Sequence, residues 1–472
     1  MFFNTNFSSI KGSHAVVIGG SMAGLLAARV LTDHFEQVTI IERDRFSSEP
    51  TPRRGVPQAH HQHVLLSRGQ QILNQLFPQL KDELIAAGAK LIDLAENIAW
   101  LTPAGWGVRF TSDFTMLSCS RDLLEWGVRR QLATFTQVRF LQAGEVKGLL
   151  SNLNTRTVTG VEVLFLDRVA GSSFEQLHAD LVVDASGRSS KTPQWLIALG
   201  YLPPQETVIN AFLGYASRLY QPPSGFNADW QGFYLQAAPP KISRGCSLLP
   251  IEGDRWLLNL VGGGKDYPPR DEAGFLEFIC SLPSSIAYEA IKDAKPLSPI
   301  YSYRATENRW RHYEKLSCLP DGLVVMGDAA CVFNPVYGQG MSTAALGAMT
   351  LNQCLNSGGL QGSSRRFQKQ LAKVNTTPWM LATSEDFRYR ITEGGSSTWT
   401  TQLMHTYMDQ VLLLSTKSIN VRRLLLEVFN LIKPPSVMFH PHIVLQVLAS
   451  SMKSWAMPDK AFWSQETQVT TD

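Results

Sequence analysis

The feature that most restricts the fold of this 472-residue chain is a glycine-rich turn between two apolar runs near its start. The run His14-Ala15-Val16-Val17-Ile18 reads as a buried strand. Gly19-Gly20-Ser21-Met22-Ala23-Gly24 is the turn, residues 25–31 open a helix, and Val38-Thr39-Ile40-Ile41 is a second strand ending at Glu42. Strand, turn, helix and strand at this spacing form a parallel βαβ unit that binds a dinucleotide, with the pyrophosphate over the helix N-terminus. Glu42 lies roughly 20 residues past the glycines, where an acidic side chain reaches ribose hydroxyls. The turn departs from Gly-x-Gly-x-x-Gly at Ser21, where the missing side chain normally lets the backbone approach the phosphates. Serine is small, and its hydroxyl can donate to phosphate. Gly19, Ser21, Met22, Ala23, Gly24, Glu42 and the adjacent Arg43 are the first candidate cofactor contacts.

A second motif lies some three hundred residues downstream and turns the expectation toward FAD. Gly327-Asp328-Ala329-Ala330 follows an apolar run, residues 322–326, and precedes Asn334-Pro335-Val336-Tyr337-Gly338-Gln339-Gly340-Met341-Ser342. Asp328 then falls at the carboxyl end of a strand, where open α/β sheets bind ligands and a carboxylate can accept from a ribitol hydroxyl. Pro335 prevents an early helix, and Gly338 and Gly340 let the backbone approach a flat ring. From about Met341 the small residues read as a helix whose N-terminus favours an anionic reduced flavin. Pro335, Gly338, Gln339, Gly340 and Met341 therefore form a candidate flavin-side loop, with no single catalytic side chain assigned; Gly327 and Asp328 join the cofactor set.

Between these motifs, the apolar run 179–183 ends at Asp184-Ala185-Ser186-Gly187 and reads as a third element of the same sheet, adding Asp184 and Gly187 to the candidates. Ser120 or Ser118 caps a helix that begins at Arg121. An arginine in a first helical turn opposes the helix dipole, so a diphosphate contact gives it a better reason than chance. Residues 160–167 read as a hairpin. Residues 100–116 and 210–303 carry strand-like runs rich in aromatics (Phe212, Tyr215, Tyr220, Phe226, Trp230, Phe233, Tyr234, Trp256), which either line a lipophilic pocket or form a core. Residues 365–472 read as largely helical. Their amphipathic stretches 419–428 and 443–452 serve either a packed core or weak docking on a membrane surface.

The segment Pro52-Arg53-Arg54-Gly55-Val56-Pro57-Gln58-Ala59-His60-His61-Gln62-His63 invites three readings: a metal site, a solvated turn, or a loop bordering the cofactor with Arg53 or Arg54 near phosphate. No further ligand stands at metal spacing, so the third is preferred, Arg54 enters the cofactor set, and no metal is expected. A net charge of +3 gives no reason to expect a nucleic-acid partner. The six cysteines show no Cys-x-x-Cys spacing. With no apolar leader visible in residues 1–13, a cytoplasmic location is expected.

The order of these motifs resembles the flavoprotein monooxygenases of the aromatic-hydroxylase class, over most of residues 13–350. Narrower likenesses sit in Arg54-Gly55-Val56-Pro57-Gln58-Ala59, Cys119-Ser120-Arg121-Asp122-Leu123-Leu124-Glu125-Trp126 and the Asn334-to-Ser342 loop. These are similar to the flavin epoxidases of polyether antibiotic pathways and, more distantly, to squalene epoxidases. The resemblance implies an α/β fold: a Rossmann-type FAD-binding domain, an inserted mostly antiparallel β-sheet substrate domain and a helical C-terminal region. The expected division is 13–95, 119–205 and 313–360 for the FAD-binding domain, 96–118 and 206–312 for the substrate domain, and 361–472 for the helical region.

It implies FAD, O2 and a lipophilic small-molecule substrate, with one oxygen transferred through a C4a-hydroperoxyflavin in secondary metabolism, to an alkene or polyene or, alternatively, to an aromatic ring. Ser186 stands where that class usually has aspartate, and no second Gly-x-Gly-x-x-Gly follows. NAD(P)H is therefore expected as electron donor either by transient binding or through a partner flavin reductase. Two rivals share the chemistry or fold. Flavin halogenases carry Trp-x-Trp-x-Ile-Pro, whereas this chain has Trp100-Leu101-Thr102-Pro103-Ala104-Gly105-Trp106. Polyprenyl reductases of the geranylgeranyl type saturate alkenes instead.

Overall fold

A computed structural model describes residues 10–152, 154–166 and 174–455. Asp167, expected to end a hairpin, and residues 456–472 of the expected helical region lie outside the described residues. The chain divides into two compact units: 1–89, 119–210 and 306–386 form unit 1, and 90–118, 211–305 and 387–472 form unit 2. The helices expected as one C-terminal region are shared out. Ser363–Asp386 belongs to unit 1, whereas Trp399–Ser415, Ile419–Phe429 and Pro441–Trp455 belong to unit 2.

Unit 1 is built on a five-stranded parallel sheet in the order Leu323–Val325, Leu181–Asp184, Gly12–Ile18, Phe35–Glu42, Val138–Gln142. Its strands are short, apolar and β-branched, as strands covered on both faces are. The register decides where chemistry can occur. Ile18 pairs with Asp184 on one side and Ile41 on the other, and Asp184 pairs with Val325. Four strands therefore end level, and the turns at Gly19, Glu42, Ala185 and Gly327 leave from one edge.

The helix Met22–Leu31 covers this sheet with Leu25, Leu26, Ala27, Ala28, Val30 and Leu31, all without solvent exposure. It starts three residues earlier than the apolar pattern suggested, because Met22, Ala23 and Gly24 already form its first turn. Gly24 is held to glycine by contact: a Cβ there would stand 1.8 Å from the carbonyl oxygen of Gly19. Gly19 has φ +100°, open only to glycine at low cost.

Unit 2 centres on an eight-stranded sheet that includes Gly214–Gln221, Arg255–Gly262, Arg244–Ile251, Gly232–Leu235 and Ile98–Thr102. Its described pairings are antiparallel except that between Gly232–Leu235 and Ile98–Thr102. Tyr220, Phe233 and Trp256 lie in a core with Phe275 and Phe278, so for these aromatics the core reading replaces the pocket reading. Of the aromatic stretch 100–116, Phe110 and Phe114 fall outside the strands. The amphipathic helices of unit 2 likewise pack: Val421, Leu425, Val428, Ile443 and Val447 share one apolar cluster with Val411 and Met438. Among the described residues no helix is long and apolar enough to cross a membrane.

Gly24→Ala should cost about 3 kcal/mol or more, because backbone on both sides of the contact must move. Urea unfolding measures this, and an unchanged midpoint would show that the first helix can retreat from the turn.

Candidate functional site

The level strand ends bring the N-terminal and late motifs into contact. Gly327, at φ +59°, lies so close to the first helix that a Cβ would stand 2.7 Å from Ala23 Cβ. Ser21 is the N-cap residue of that helix, but its hydroxyl does not cap it. It donates instead to Glu125 Oε2 at 2.6 Å and accepts from Arg121 Nη2 at 2.8 Å. The first-turn N–H groups thus face outward without a side-chain cap, the arrangement a pyrophosphate needs.

Arg121 begins the helix Arg121–Leu132, capped by Ser120, which accepts from Leu123 N at 3.1 Å. One turn later stands Glu125, 2.6 Å from Arg121 Nη2. Glu125 also pairs with Arg53, and Arg53 reaches Glu42 and Asp44, each at 3.4 Å. Burial pushes the Glu125 carboxyl up, but Arg121 and Arg53 overcome this and hold it below its ordinary range. The result is a buried charge chain from Glu42 through Arg53 and Glu125 to Arg121 and Ser21. It borders a small surface recess lined by Ser47, Arg53, Val56, Arg121, Trp126 and Arg129, among others.

Here the structure corrects the choice between adjacent arginines. Arg53 joins the cluster, whereas Arg54 and Arg43 are exposed. Glu42 is buried and accepts from Gly20 N at 2.8 Å and Asp44 N at 3.0 Å. Asp184 is also turned inward. Its carboxylate takes hydrogen bonds from Ser186 N and Oγ, Ser190 Oγ and Thr192 Oγ1, at 2.5–2.9 Å. Its capacity is thus used in shaping the loop that carries Gly187, so it positions that loop instead of meeting a cofactor directly.

Asp328 behaves differently. It lies on the turn Gly327–Ala329 and accepts no hydrogen bond from the described residues. Burial raises its carboxyl above the usual range, against the pull of Arg188, Arg121 and Arg311. A donor such as a ribitol hydroxyl would satisfy it. The flavin-side loop shows the same fit. Pro335–Tyr337 is a single 3-10 turn closed by Gly338 at φ +64°, and the helix Gly340–Gly358 follows with Gln339 as its N-cap residue. A Cβ on Gly340 would meet nothing within 4 Å. The fold itself therefore does not require glycine at 340, but close approach of a flat ring would. Gln339 is buried with no partner for Oε1 among the described residues, and Met341 Sδ is reached by Arg121 Nη1.

The loop is fixed from two sides. Ser342 Oγ accepts from Leu66 N at 3.1 Å. On the other side stands a cluster that sequence reasoning missed. Asp386, at the end of helix Ser363–Asp386 and fully buried, accepts from Tyr337 Oη at 2.8 Å, Asn308 Nδ2 at 2.6 Å and Asn334 Nδ2 at 3.2 Å. Asn308 Oδ1 in turn accepts from Asn334 N at 2.7 Å. Burial pushes the Asp386 carboxyl up to about 7, with Glu385 adding to the push and the three donors opposing it. No spacing signals a partner some fifty residues from the loop, whereas the i, i+4 spacing of Arg121 and Glu125 is a signal by which Glu125, also missed, could have been found.

The histidine segment borders the same region. His63 Nδ1 bonds the His61 carbonyl at 2.9 Å. Burial lowers both His61 and His63 to about 4, helped for His63 by Arg121 and for His61 by His60. Among the described residues no group of three or more His, Cys, Asp or Glu side chains could hold a metal ion.

Two predictions follow from this geometry. Gly340→Ala should leave the stability of FAD-free protein within about 1 kcal/mol, yet weaken FAD binding at least about tenfold. Equal FAD affinity by fluorescence titration would place the ring elsewhere. For Asp386, the folded state keeps its proton up to about pH 7, whereas a free aspartate loses it near 3.8. The stability this group contributes is therefore complete below pH 4 and lost as the pH rises through 7. Asp386→Ala, which leaves three donors unmet, should be less stable by about 1–3 kcal/mol per donor. The gap from wild type should be wider at pH 4.5 than at pH 7.5. Urea unfolding at both values checks this, and an equal gap would mean that Asp386 does not titrate in this range.

Known proteins share this fold. Residues 13–363 match the FAD binding domain family. Over 386 residues, covering 80% of this chain and 80% of the relative, the sequence is 32% identical to Protein Rv3254 of Mycobacterium tuberculosis (strain ATCC 25618 / H37Rv). The flavin-dependent brominase Bmp2 superposes with a TM-score of 0.65 at 13% identity, over 94% of this chain and 100% of that one. The myxobacterial chondrochloren halogenase CndH gives 0.60 at 17% identity, over 90% and 98%. PqsL, a probable FAD-dependent monooxygenase from Pseudomonas aeruginosa, gives 0.54 at 15% identity, over 80% and 98%. At these identities the structural likeness concerns the fold.

Proposed function

The chain belongs to the FAD binding domain family, and from that premise we propose that it is an FAD-dependent monooxygenase that inserts one oxygen atom of O2 into a lipophilic alkene, giving an epoxide. The observation that carries this reading is the level edge of the parallel sheet. There Asp328 accepts no hydrogen bond from the described residues, and Gly340 leaves room beside the helix Gly340–Gly358. PqsL supports an oxygenase by its name, and the likeness of the Asn334-to-Ser342 loop to polyether epoxidases supports the alkene.

FAD, once reduced by a nicotinamide donor directly or through a partner reductase, would supply the electrons that activate O2. The chain's own residues do the rest. The first-turn N–H groups of the Met22 helix and Arg121 hold the diphosphate, Glu42 the ribose and Asp328 the ribitol. The N-terminus of the Gly340 helix stabilises negative charge on the ring. Ser342 and the Asp386 cluster keep the loop in place. Phenol hydroxylation favours a side chain that takes the hydroxyl proton. His61 and His63, lowered to about 4, are weak bases for that task, which favours the alkene over the ring.

Bmp2 and CndH are halogenases by name, so product chemistry must separate the readings. Purified protein, FAD, NAD(P)H with and without a flavin reductase, and a panel of polyenes and phenols under 18O2 should yield an epoxide with one labelled oxygen. The other labelled atom should appear in water. A halogenated product, or one gaining two hydrogens and no label, overturns the proposal.

A further inference from the structure

Unit 2 contains a cation that no carboxylate among the described residues balances. Arg422, on the helix Ile419–Phe429, is 2% exposed and heads the fully buried side chains by volume. Its Cζ lies 4.3 Å from the centre of the Trp100 ring. Gly107 presses on it so closely that a Cβ there would stand 2.6 Å from Cζ. A cation over an indole is stabilised, but that contact uses the face of the guanidinium and leaves its N–H edge unmet. Nε and Nη1 are buried without an acceptor among the described residues, and Trp100 Nε1 is too. Burial lowers the guanidinium to about 10, with no carboxylate opposing the shift.

The neighbouring cations are treated otherwise. Arg423 pairs with Asp113 at 3.0 Å, and Lys433 with Glu427 at 2.8 Å. An unpaired buried charge is among the least favourable things a fold can keep, and an apolar side chain of similar volume would suit a purely structural position better.

We propose that Arg422 and Trp100 form a binding site in unit 2 for the carboxylate of an otherwise apolar small molecule. The donors define the ligand. All are N–H groups, so the partner must be purely an acceptor. A planar anion matches the edge of a guanidinium, which binds carboxylates through parallel hydrogen bonds. The surroundings define its body: Tyr234 and Phe429 rings lie 5.3 and 6.0 Å from Trp100, and neither brings a charge. That this ligand is the substrate rests on the oxygenase reading, and the substrate would then be an apolar acid held by its carboxylate end.

Binding without turnover separates the two ideas. FAD-loaded wild type, Arg422→Met and Trp100→Phe are titrated calorimetrically with decanoate, with decan-1-ol as the neutral counterpart and with inorganic phosphate. Decanoate should bind wild type saturably, at least about tenfold more tightly than decan-1-ol or phosphate, as loss of a charge-assisted pair predicts. Arg422→Met should lose at least that factor for decanoate, bind decan-1-ol unchanged, keep its FAD and melt no lower than wild type. Trp100→Phe, which keeps a ring but removes one donor, should lose a smaller part. Equal binding of acid and alcohol, phosphate competing on equal terms, no saturable binding of decanoate, or an Arg422→Met variant that binds decanoate like wild type would each overturn the site, whatever product the enzyme makes.

Discussion

The parallel register that sets Ile18 level with Asp184 and Ile41, and Asp184 level with Val325, is the constraint on which the candidate site depends. It converts four distant stretches of sequence into one edge. Shifted by one residue, any of these strands would turn its buried side chains over and withdraw its turn from the edge. The contact of Gly24 with Gly19 locks the first helix onto that edge, and the approach of Gly327 to Ala23 joins the late motif to it. Hydrophobic burial sets the sheet; two glycines then set the distance at which a diphosphate can lie.

Electrostatics around this edge divides into finished and unfinished business. The chain Glu42–Arg53–Glu125–Arg121 alternates acid and base, and Arg53 reaches Asp44 as well. Asp328, a few residues past its strand, has cations at a distance but no donor in hand. Asp386 accepts from three donors, and burial pushes its carboxyl up to about 7. The same contrast recurs in unit 2, where Arg423 pairs with Asp113 and Arg422 meets no carboxylate among the described residues.

Local periodicity and turn chemistry made the fold readable. The βαβ unit, the Ser120 cap, the late strand–loop–helix and the antiparallel character of residues 210–303 all rest on neighbours within a dozen positions. Choices among equivalent residues did not. Nothing in Arg53-Arg54 says which side chain turns inward; only the backbone path toward Glu125 does. Asp184 looked like a ligand because strand ends are where ligands bind, but the hydroxyls of Ser186, Ser190 and Thr192, all within eight residues, claim it first. Asp386 and Arg422 were invisible because their meaning lies in what surrounds them in space. The eight-stranded sheet's aromatics are ambiguous in sequence for the same reason, since a ring in a core and a ring lining a pocket leave the same pattern.

The interleaving of the two units bears on how the chain is made. The five-stranded sheet of unit 1 has its order written across nearly the whole protein, and its edge strand, Leu323–Val325, is the last to be synthesised. Every strand of the eight-stranded sheet in unit 2, ending with Tyr301–Tyr303, leaves the ribosome before it. The strand Leu181–Asp184 must therefore wait, with one flank unpaired, while another sheet is completed. Parallel pairing between such distant segments is slow to close, and an open strand edge in the meantime invites association with other chains. The same interleaving that gathers the candidate cofactor residues on one edge leaves a strand of that sheet open until late in synthesis.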